Sequence, residues 1–83
     1  MKIVFHPDVL KQLQRLPRDA FETALLAIVS LAENPRPAGA KKLVGADDDW
    51  RIRFGRYRII YQVDNAANTI TVFVVAKRSD AYR

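Results

Sequence analysis

The feature that most constrains the fold is a regular alternation of side-chain character through residues 50–63. Alternation with period two is typical of a β-strand with one covered face. The pair Gly55-Arg56 divides the stretch into two runs and predicts a two-residue turn between antiparallel strands. This segment therefore predicts a β-hairpin with one apolar face, which consists of Trp50, Ile52, Phe54, Tyr57, Ile59, Tyr61 and Val63.

The residues before the hairpin predict a strand followed by a helical hairpin. Lys2–Phe5 forms a short apolar run, which we interpret as an edge strand. Pro7 suits the first turn of a helix, and Pro17 interrupts the helical pattern before a second helix begins near Arg18 or Asp19. Residues with helical spacing predict the inward face of this second helix: Phe21, Ala24, Leu25, Ile28, Leu31 and Ala32.

The remaining segments complete an α+β fold. Residues 35–49, rich in Pro, Gly and Asp, predict a loop. Thr69–Ala76 is almost entirely β-branched or aromatic and predicts a central strand that is buried on both faces. The expected order is β-α-α-β-β-β, with the N-terminal strand and the helical hairpin packed on one face of a mainly antiparallel four-stranded sheet. We expect residues 1–83 to form a single domain.

The charge distribution concentrates the basic excess in the last part of the chain. Residues 1–50 carry seven basic and seven acidic side chains, whereas residues 51–83 carry seven basic and two acidic ones, which accounts for the net charge of +5. Such an excess favours a polyanionic partner. The absence of cysteine excludes disulfides and thiolate metal sites. Asp47–Asp49 is interpreted as a solvated loop, so we expect no metal or other cofactor.

No segment of the chain predicts export or membrane insertion. The start lacks the apolar region of a signal peptide, and no apolar run approaches the length of a membrane span. We therefore expect a soluble, cytoplasmic protein without a membrane partner.

Three arginines are expected on the sheet face opposite the helices. The predicted turn places Arg53 opposite Arg58 and Arg51 opposite Ile60, so Arg51, Arg53 and Arg58 form what we call the arginine face. Directly opposed like charges destabilise a strand pair, and residues 50–63 contain no carboxylate. A bound phosphate would explain the arrangement, since guanidinium groups match its geometry. Two alternatives stay open: a solvated face whose long side chains cover apolar area, and an acidic protein partner.

Two further segments contain candidate functional side chains. The tail Lys77–Arg83 follows the predicted central strand, and its Tyr82 is either a packing residue or a stacking and proton-transfer group. His6 precedes Pro7, and we interpret it as a helix cap or a surface residue.

Three segments together resemble one toxin family. The sequence Trp50-Arg-Ile-Arg-Phe-Gly-Arg-Tyr-Arg-Ile-Ile-Tyr-Gln-Val-Asp64 resembles the central hairpin of the RelE branch of the RelE/ParE toxin superfamily. Val75–Arg83 looks like its closing signature, and Leu10–Pro17 looks like its first helix. Members are toxins of type II toxin–antitoxin systems. The RelE branch implies a ribosome-dependent endoribonuclease that cuts mRNA in the A site through 2′-OH attack, and a cognate antitoxin as partner.

The resemblance also implies roles for individual residues. Arg53, Arg58, Arg78 and Tyr82 match catalytic positions, although either Lys77 or Arg78 fits the basic position of the tail. The RNA-binding set implied by the resemblance is Arg51, Arg53, Arg56, Lys77, Lys41 and Lys42. No general acid is apparent. The alternatives are a gyrase-poisoning toxin of the ParE branch and a catalytically inactive basic binding module.

Overall fold

A computed structural model describes residues 1–43 and 48–77 of the 83-residue chain. Within these ranges, the chain forms a strand, a helical hairpin and further strands in the expected order. The elements are β1 (Lys2–Phe5), α1 (Pro7–Gln14), α2 (Arg18–Leu31), β2 (Lys41–Lys42), β3 (Asp49–Phe54), β4 (Tyr57–Asp64) and β5 (Thr69–Lys77).

The strands form a mixed sheet in the order β1-β5-β4-β3-β2. Only β1 and β5 pair in parallel, and the other neighbours are antiparallel. The predicted edge position of β1 and the central position of β5 are therefore confirmed. The expectation that β5 is buried on both faces is correct for one face only. Ile70, Val72 and Val75 are buried toward the helices, whereas the opposite face of the strand is half-buried because neither helix of the described ranges packs on it.

A short strand lies within the segment that we expected to be a loop. β2 contains only Lys41 and Lys42, which pair with Arg51 and Trp50 of β3. β3 begins at Asp49, one residue earlier than the alternation indicated. The sheet consequently has five strands instead of the expected four, and β2 forms its second edge. Lysines on such an edge discourage further strand pairing.

Both helices begin where the sequence predicted. The Nδ1 atom of His6 accepts a hydrogen bond from the backbone N–H of Asp8 at 3.3 Å, so His6 is confirmed as the N-cap of α1. Pro7 occupies the first turn, where its missing N–H costs nothing. Pro17 precedes α2, which begins at Arg18. Neither helix of the described ranges is long and apolar enough to span a membrane.

The inward face of α2 differs in part from the predicted one. Its buried residues are Ala20, Ala24, Ile28 and Leu31, with Ala27 half-buried beside them. Phe21 and Leu25 were predicted to face the core, but they are 36% and 38% exposed. Two further apolar residues of the helix, Leu26 and Val29, are also exposed. Because α2 has apolar residues around most of its circumference, their spacing does not identify the buried stripe.

The core lies between the helices and one face of the sheet. The strands contribute Ile59, Tyr61 and Val63 from β4 and Ile70, Val72 and Val75 from β5, and α1 contributes Val9 and Leu13. Trp50, Ile52 and Phe54 of β3 pack at its margin. The apolar side of the hairpin thus covers the helices, which leaves the arginine face on the other side.

Candidate functional site

The β3–β4 hairpin has the predicted turn and the predicted register. Gly55 has a positive φ of 55°, whereas the next residue, Arg56, does not. This combination matches a type II′ turn, which suits the twist of antiparallel strands. Arg53 pairs with Arg58 and Arg51 pairs with Ile60, as the sequence indicated. The three members of the arginine face therefore share one side of the sheet.

The three arginines differ strongly in exposure. Arg53 is exposed, Arg51 is half-buried, and Arg58 retains only 1% of its accessible surface. β4 lies between β3 and β5, so Arg58 has a neighbouring strand on each side. Arg58 faces Arg53 on one side and the small Ala76 on the other. Burial reduces the dielectric screening around the Arg58 charge, so its field acts more strongly on a nearby anion.

Two other charged residues extend the arginine face at the β2–β3 edge. Lys41 pairs with Arg51 and therefore lies on the same side of the sheet. Asp49 lies two residues before Arg51 in β3 and also shares this side. Residues 50–63 indeed lack a carboxylate, but one stands just before them on the same face.

Asp49 does not form an ion pair with the arginines. Among residues 1–43 and 48–77, the ion pairs are His6–Asp8 at 3.7 Å and Arg18–Glu22 at 3.4 Å. Within those ranges, Arg51 and Arg53 are therefore available to an incoming anion.

The opposite side of the hairpin holds the segment that follows α2. The hydroxyl of Tyr61 donates a hydrogen bond to the carbonyl oxygen of Pro35 at 2.7 Å. The guanidinium of Arg36 lies 5.5 Å from the ring centre of Trp50, within the range of a cation–π interaction. Burial raises the pKa of Tyr61 from 10.0 to about 12, and the positive charge of Arg36 opposes part of this rise. These contacts tie residues 35 and 36 to β3 and β4.

Aromatic stacking supports the hairpin near its turn. The rings of Phe54 and Tyr57 stack with their centroids 5.4 Å apart. Phe54 and Tyr57 are directly opposite in the ladder, next to the Arg53–Arg58 pair. This contact offsets part of the repulsion between the two arginines.

The structure separates the other candidate RNA-binding residues. Arg56 lies in the exposed turn, and Lys42 pairs with Trp50 on the helix-covered side of the sheet. Lys77 ends β5 opposite Tyr57, which also faces the helix side. Only Lys41 joins Arg51 and Arg53 on the arginine face. In this register Ala76, and not Lys77, pairs with Arg58 on the arginine face.

Some predicted residues lie outside the described ranges. These are Arg78 and Tyr82 of the tail and Asp47 of the acidic run. Of that run, Asp48 is exposed and Asp49 belongs to β3.

The arginine face provides fixed positive charge for an anionic ligand. Arg53 is exposed and Arg51 half-buried on β3, and the buried Arg58 lies beside them on the same face of β4. Such groups stabilise negative charge that develops on a phosphate. They are poor proton donors because a guanidinium stays protonated at neutral pH. Proton transfer therefore requires other groups.

Sequence reasoning missed two residues that organise this region. Arg36 was not recognised, since the signal for its role is a contact with Trp50 across the fold. Gln12 of α1 was also missed, although its side chain accepts a hydrogen bond from the backbone of β5. Neither residue belongs to a local motif that would have indicated its contact.

Comparisons with known proteins agree on one group of toxins. Residues 3–82 match the family model described as the ParE toxin of type II toxin–antitoxin systems. A protein of Methanocaldococcus jannaschii that carries the toxin name RelE1 is 31% identical over 98% of this chain and 93% of its own length.

Solved structures have the same fold. The isolated RelE toxin of E. coli superposes with a TM-score of 0.82 at 29% identity, over 98% of this chain and 89% of the toxin. RelE in the archaeal RelE–RelB complex from Pyrococcus horikoshii also gives a TM-score of 0.82, at 30% identity over 93% of each chain.

Proposed function

Since the chain belongs to the RelE/ParE superfamily of toxins from type II toxin–antitoxin systems, we propose that it is a ribosome-dependent endoribonuclease. It cuts mRNA in the ribosomal A site and thereby inhibits translation and growth. The observation that carries this proposal is the arginine face, where Arg53 and Arg51 are available to an anion beside the buried Arg58. The RelE relatives, which match nearly the whole chain, support the nuclease branch.

The proposed reaction is an attack of the RNA 2′-OH on the adjacent phosphate. The 2′-oxygen forms a bond to phosphorus, the bond to the 5′-oxygen breaks, and the 2′-proton is removed while the 5′-oxygen gains one. Arg53 and Arg58 stabilise the negative charge of the phosphorane, with Arg51 and Lys41 holding flanking phosphates. Arg78 and Tyr82 are assigned by the resemblance, with Tyr82 as the base.

The base must ionise more readily than an ordinary tyrosine. The phenol of an ordinary tyrosine has a pKa near 10. At neutral pH very little of it is ionised, so little phenolate is present to act as a base. Neighbouring guanidinium groups favour the phenolate and lower such a pKa. The assignment of Tyr82 as the base therefore requires guanidinium groups close to its hydroxyl.

The ribosome supplies the positioning that this small protein lacks. No residue of the described ranges is assigned as the acid that protonates the 5′-oxygen, and a short chain has little surface to align RNA. Alignment of the reacting atoms by the ribosome would supply a large part of the rate. We therefore expect the pure protein to cleave free RNA poorly, and efficient cleavage of naked RNA would contradict this requirement.

Cleavage in translating ribosomes provides the direct test. Arg53 is exposed, so Arg53→Ala should reduce the cleavage rate by about 100-fold without affecting folding. Arg53→Lys should recover only part of the rate, because lysine keeps the charge but not the planar, bidentate geometry. Arg18→Ala is the matched control, since it removes the same charge from an exposed position on α2. Equal activity of Arg53→Ala and the wild type would refute the site.

The buried and tail positions need separate variants. Arg58→Ala should abolish cleavage, but it also removes a fully buried side chain, so its thermal unfolding must be measured alongside. Tyr82→Phe removes only the hydroxyl of the proposed base. Full cleavage activity of Tyr82→Phe would remove Tyr82 from the mechanism.

A gyrase-poisoning toxin is the second candidate, because the matching family model is described as the ParE toxin. The two functions predict different damage in cells that express the protein. Growth arrest with cut mRNA and intact DNA supports the nuclease, whereas broken DNA with intact mRNA supports the gyrase poison. An inactive basic binding module would produce neither.

A cognate antitoxin is the proposed partner, and one matched structure is a RelE–RelB complex. We propose that acidic residues of the antitoxin meet the arginine face. Affinity should then fall steeply with salt, because exposed charges are screened. Affinity that does not change with salt would instead favour apolar burial, for which α2 exposes Leu26 and Val29. Action on translating ribosomes also implies a cytoplasmic location.

A further inference from the structure

The second half of β5 lacks a neighbouring strand on one side. β1 accompanies β5 only from Thr69 to Val72. The backbone N–H of His6 then donates to the carbonyl of Val72 at 2.9 Å, and the chain turns away into α1. From Phe73 onward, this side of β5 would be an open strand edge. α1 packs against β5 and takes the place of the missing strand.

Gln12 of α1 satisfies a backbone group on this edge. The N–H of Val75 donates to Oε1 of Gln12 at 2.8 Å, across 63 positions of sequence. Val75 is 1% exposed, so water has little access to its surroundings. Because the donor is a backbone N–H, the acceptor must be the side-chain oxygen, which also defines the orientation of the amide. Gln12 thus acts as a strand carbonyl would.

The contact lies just beyond an irregularity in the β4–β5 ladder. Tyr61 pairs with Val72, but the preceding residue, Ile60, pairs with Val74, so Phe73 is an extra residue in β5. A bulge of this kind leaves the extra residue unpaired and disrupts the ladder locally. A slip by one residue would move each following side chain to the other face of the sheet.

The alignment after the bulge determines what faces Arg58. In the observed register, Val75 pairs with Ile59, Ala76 with Arg58 and Lys77 with Tyr57. Alternate residues of an antiparallel strand direct their backbone groups to opposite sides. Since the N–H of Val75 is directed to α1, that of Ala76 is directed to β4 and Arg58. A slip would bring the larger Val75 or the charged Lys77 opposite Arg58.

We propose that Gln12 is a positioning residue of the arginine face: its Oε1 atom holds the register of β5 beyond the bulge and so places Ala76 opposite Arg58. The same contact holds the end of β5, from which the chain continues to Arg78 and Tyr82. The effect of Gln12 on cleavage rests on the proposed function. The effect of Gln12 on the register of β5 is independent of the proposed function.

Three variants separate the acceptor from the shape of the side chain. Gln12→Met keeps the length and removes the acceptor, whereas Gln12→Glu keeps an oxygen at the same place. Gln14→Met is the matched control, because Gln14 lies exposed on the same helix. For each full-length variant, NMR hydrogen exchange is measured at the Val75 and Lys77 amides, together with kcat and KM for cleavage in translating ribosomes.

The expected results differ between the variants. In Gln12→Met, the Val75 amide should exchange at least about tenfold faster, since it has lost its acceptor. The kcat should fall about tenfold with little change in KM, because phosphate contacts survive while their alignment to the reacting atoms does not. Gln12→Glu should restore both quantities, and Gln14→Met should change neither.

Each contrary result has a defined meaning. Unchanged protection of Val75 in Gln12→Met would overturn the register inference, whatever the activity. Faster exchange with an unchanged kcat, while Arg53→Ala lowers the cleavage rate about 100-fold, would reduce Gln12 to a structural residue and overturn its positioning role. If the wild type cleaves no mRNA on ribosomes, the proposed function fails, and the exchange data still decide the register.

Discussion

Replacement of Tyr61 by Phe tests how the segment after α2 is held on the sheet. Tyr61 is fully buried, and its hydroxyl donates to the Pro35 carbonyl at 2.7 Å. Phe fills the same volume and removes only the hydroxyl. The Pro35 carbonyl then loses its donor in a half-buried position. Because the lost bond leaves a partly desolvated acceptor, we expect the free energy of unfolding to fall by about 1–2 kcal/mol.

The loss is large enough to measure by thermal unfolding. For a domain near this size, 1 kcal/mol corresponds to a change in Tm of about 4–8 °C. Tyr61→Phe should therefore unfold roughly 5–15 °C below the wild type at neutral pH. Tyr57→Phe is the matched control, since Tyr57 lies on the same strand and side but contacts Phe54 through its ring. It should unfold close to the wild type.

The pH dependence provides an independent check. The pKa of Tyr61 is raised from 10.0 to about 12 in the folded protein, chiefly by burial. Above pH 10 the unfolded chain loses this proton first, so the unfolded state binds fewer protons and stability falls as pH rises. This contribution is complete below pH 10 and is lost by about pH 12.

The variant has no such titration at position 61. Its disadvantage relative to the wild type should shrink between pH 10 and pH 12. The reasoning is refuted if the two proteins have equal stability at pH 7, or if their difference stays constant through pH 12.

Two other predictions concern the hairpin. Gly55→Ala should lower the free energy of unfolding by about 1 kcal/mol in a denaturant titration, because its φ of 55° is unfavourable for a residue with a Cβ even where space is open. Gly39→Ala is the control, because a Cβ there also meets no atom within 4 Å but Gly39 has no positive φ, so its free energy of unfolding should not fall. An equal loss of stability in both variants would contradict the explanation. Arg36→Ala should cost about 0.5–1 kcal/mol and shift the fluorescence of Trp50, the single tryptophan, by removing the cation–π contact. An unchanged emission spectrum would show that Arg36 does not rest on this ring in solution.

The register of the hairpin was predictable because its causes are local. Gly55 permits the positive φ that the turn needs, and the alternation on either side places Arg53 opposite Arg58. Both signals lie within a few residues of the contact that they specify. The helix boundaries at Pro7 and Pro17 were predictable for the same reason, since proline acts on its own backbone.

The exposure of the arginines was not predictable from this pattern. Arg53 and Arg58 occupy equivalent places in the alternation, yet one is exposed and the other has 1% of its surface accessible. Gln62 shares the strand and face of Arg58 and is exposed, so neither the alternation nor the strand position alone specifies the burial. Likewise, the spacing of Phe21 and Leu25 fits a buried stripe, but α2 turns other residues inward.

The sequence by itself determined the elements, the hairpin turn and the presence of three arginines on one side of a sheet. These follow from backbone preferences and from a period of two, which depend on near neighbours. The tertiary structure decided that Arg58 is buried, that Lys77 faces the helix side, and that Gln12 reaches Val75. Such contacts join residues far apart in the chain, so no local pattern contains them. The sequence therefore determines the positive charge, but the alignment of the charged side chains depends on the packing of α1 against β5.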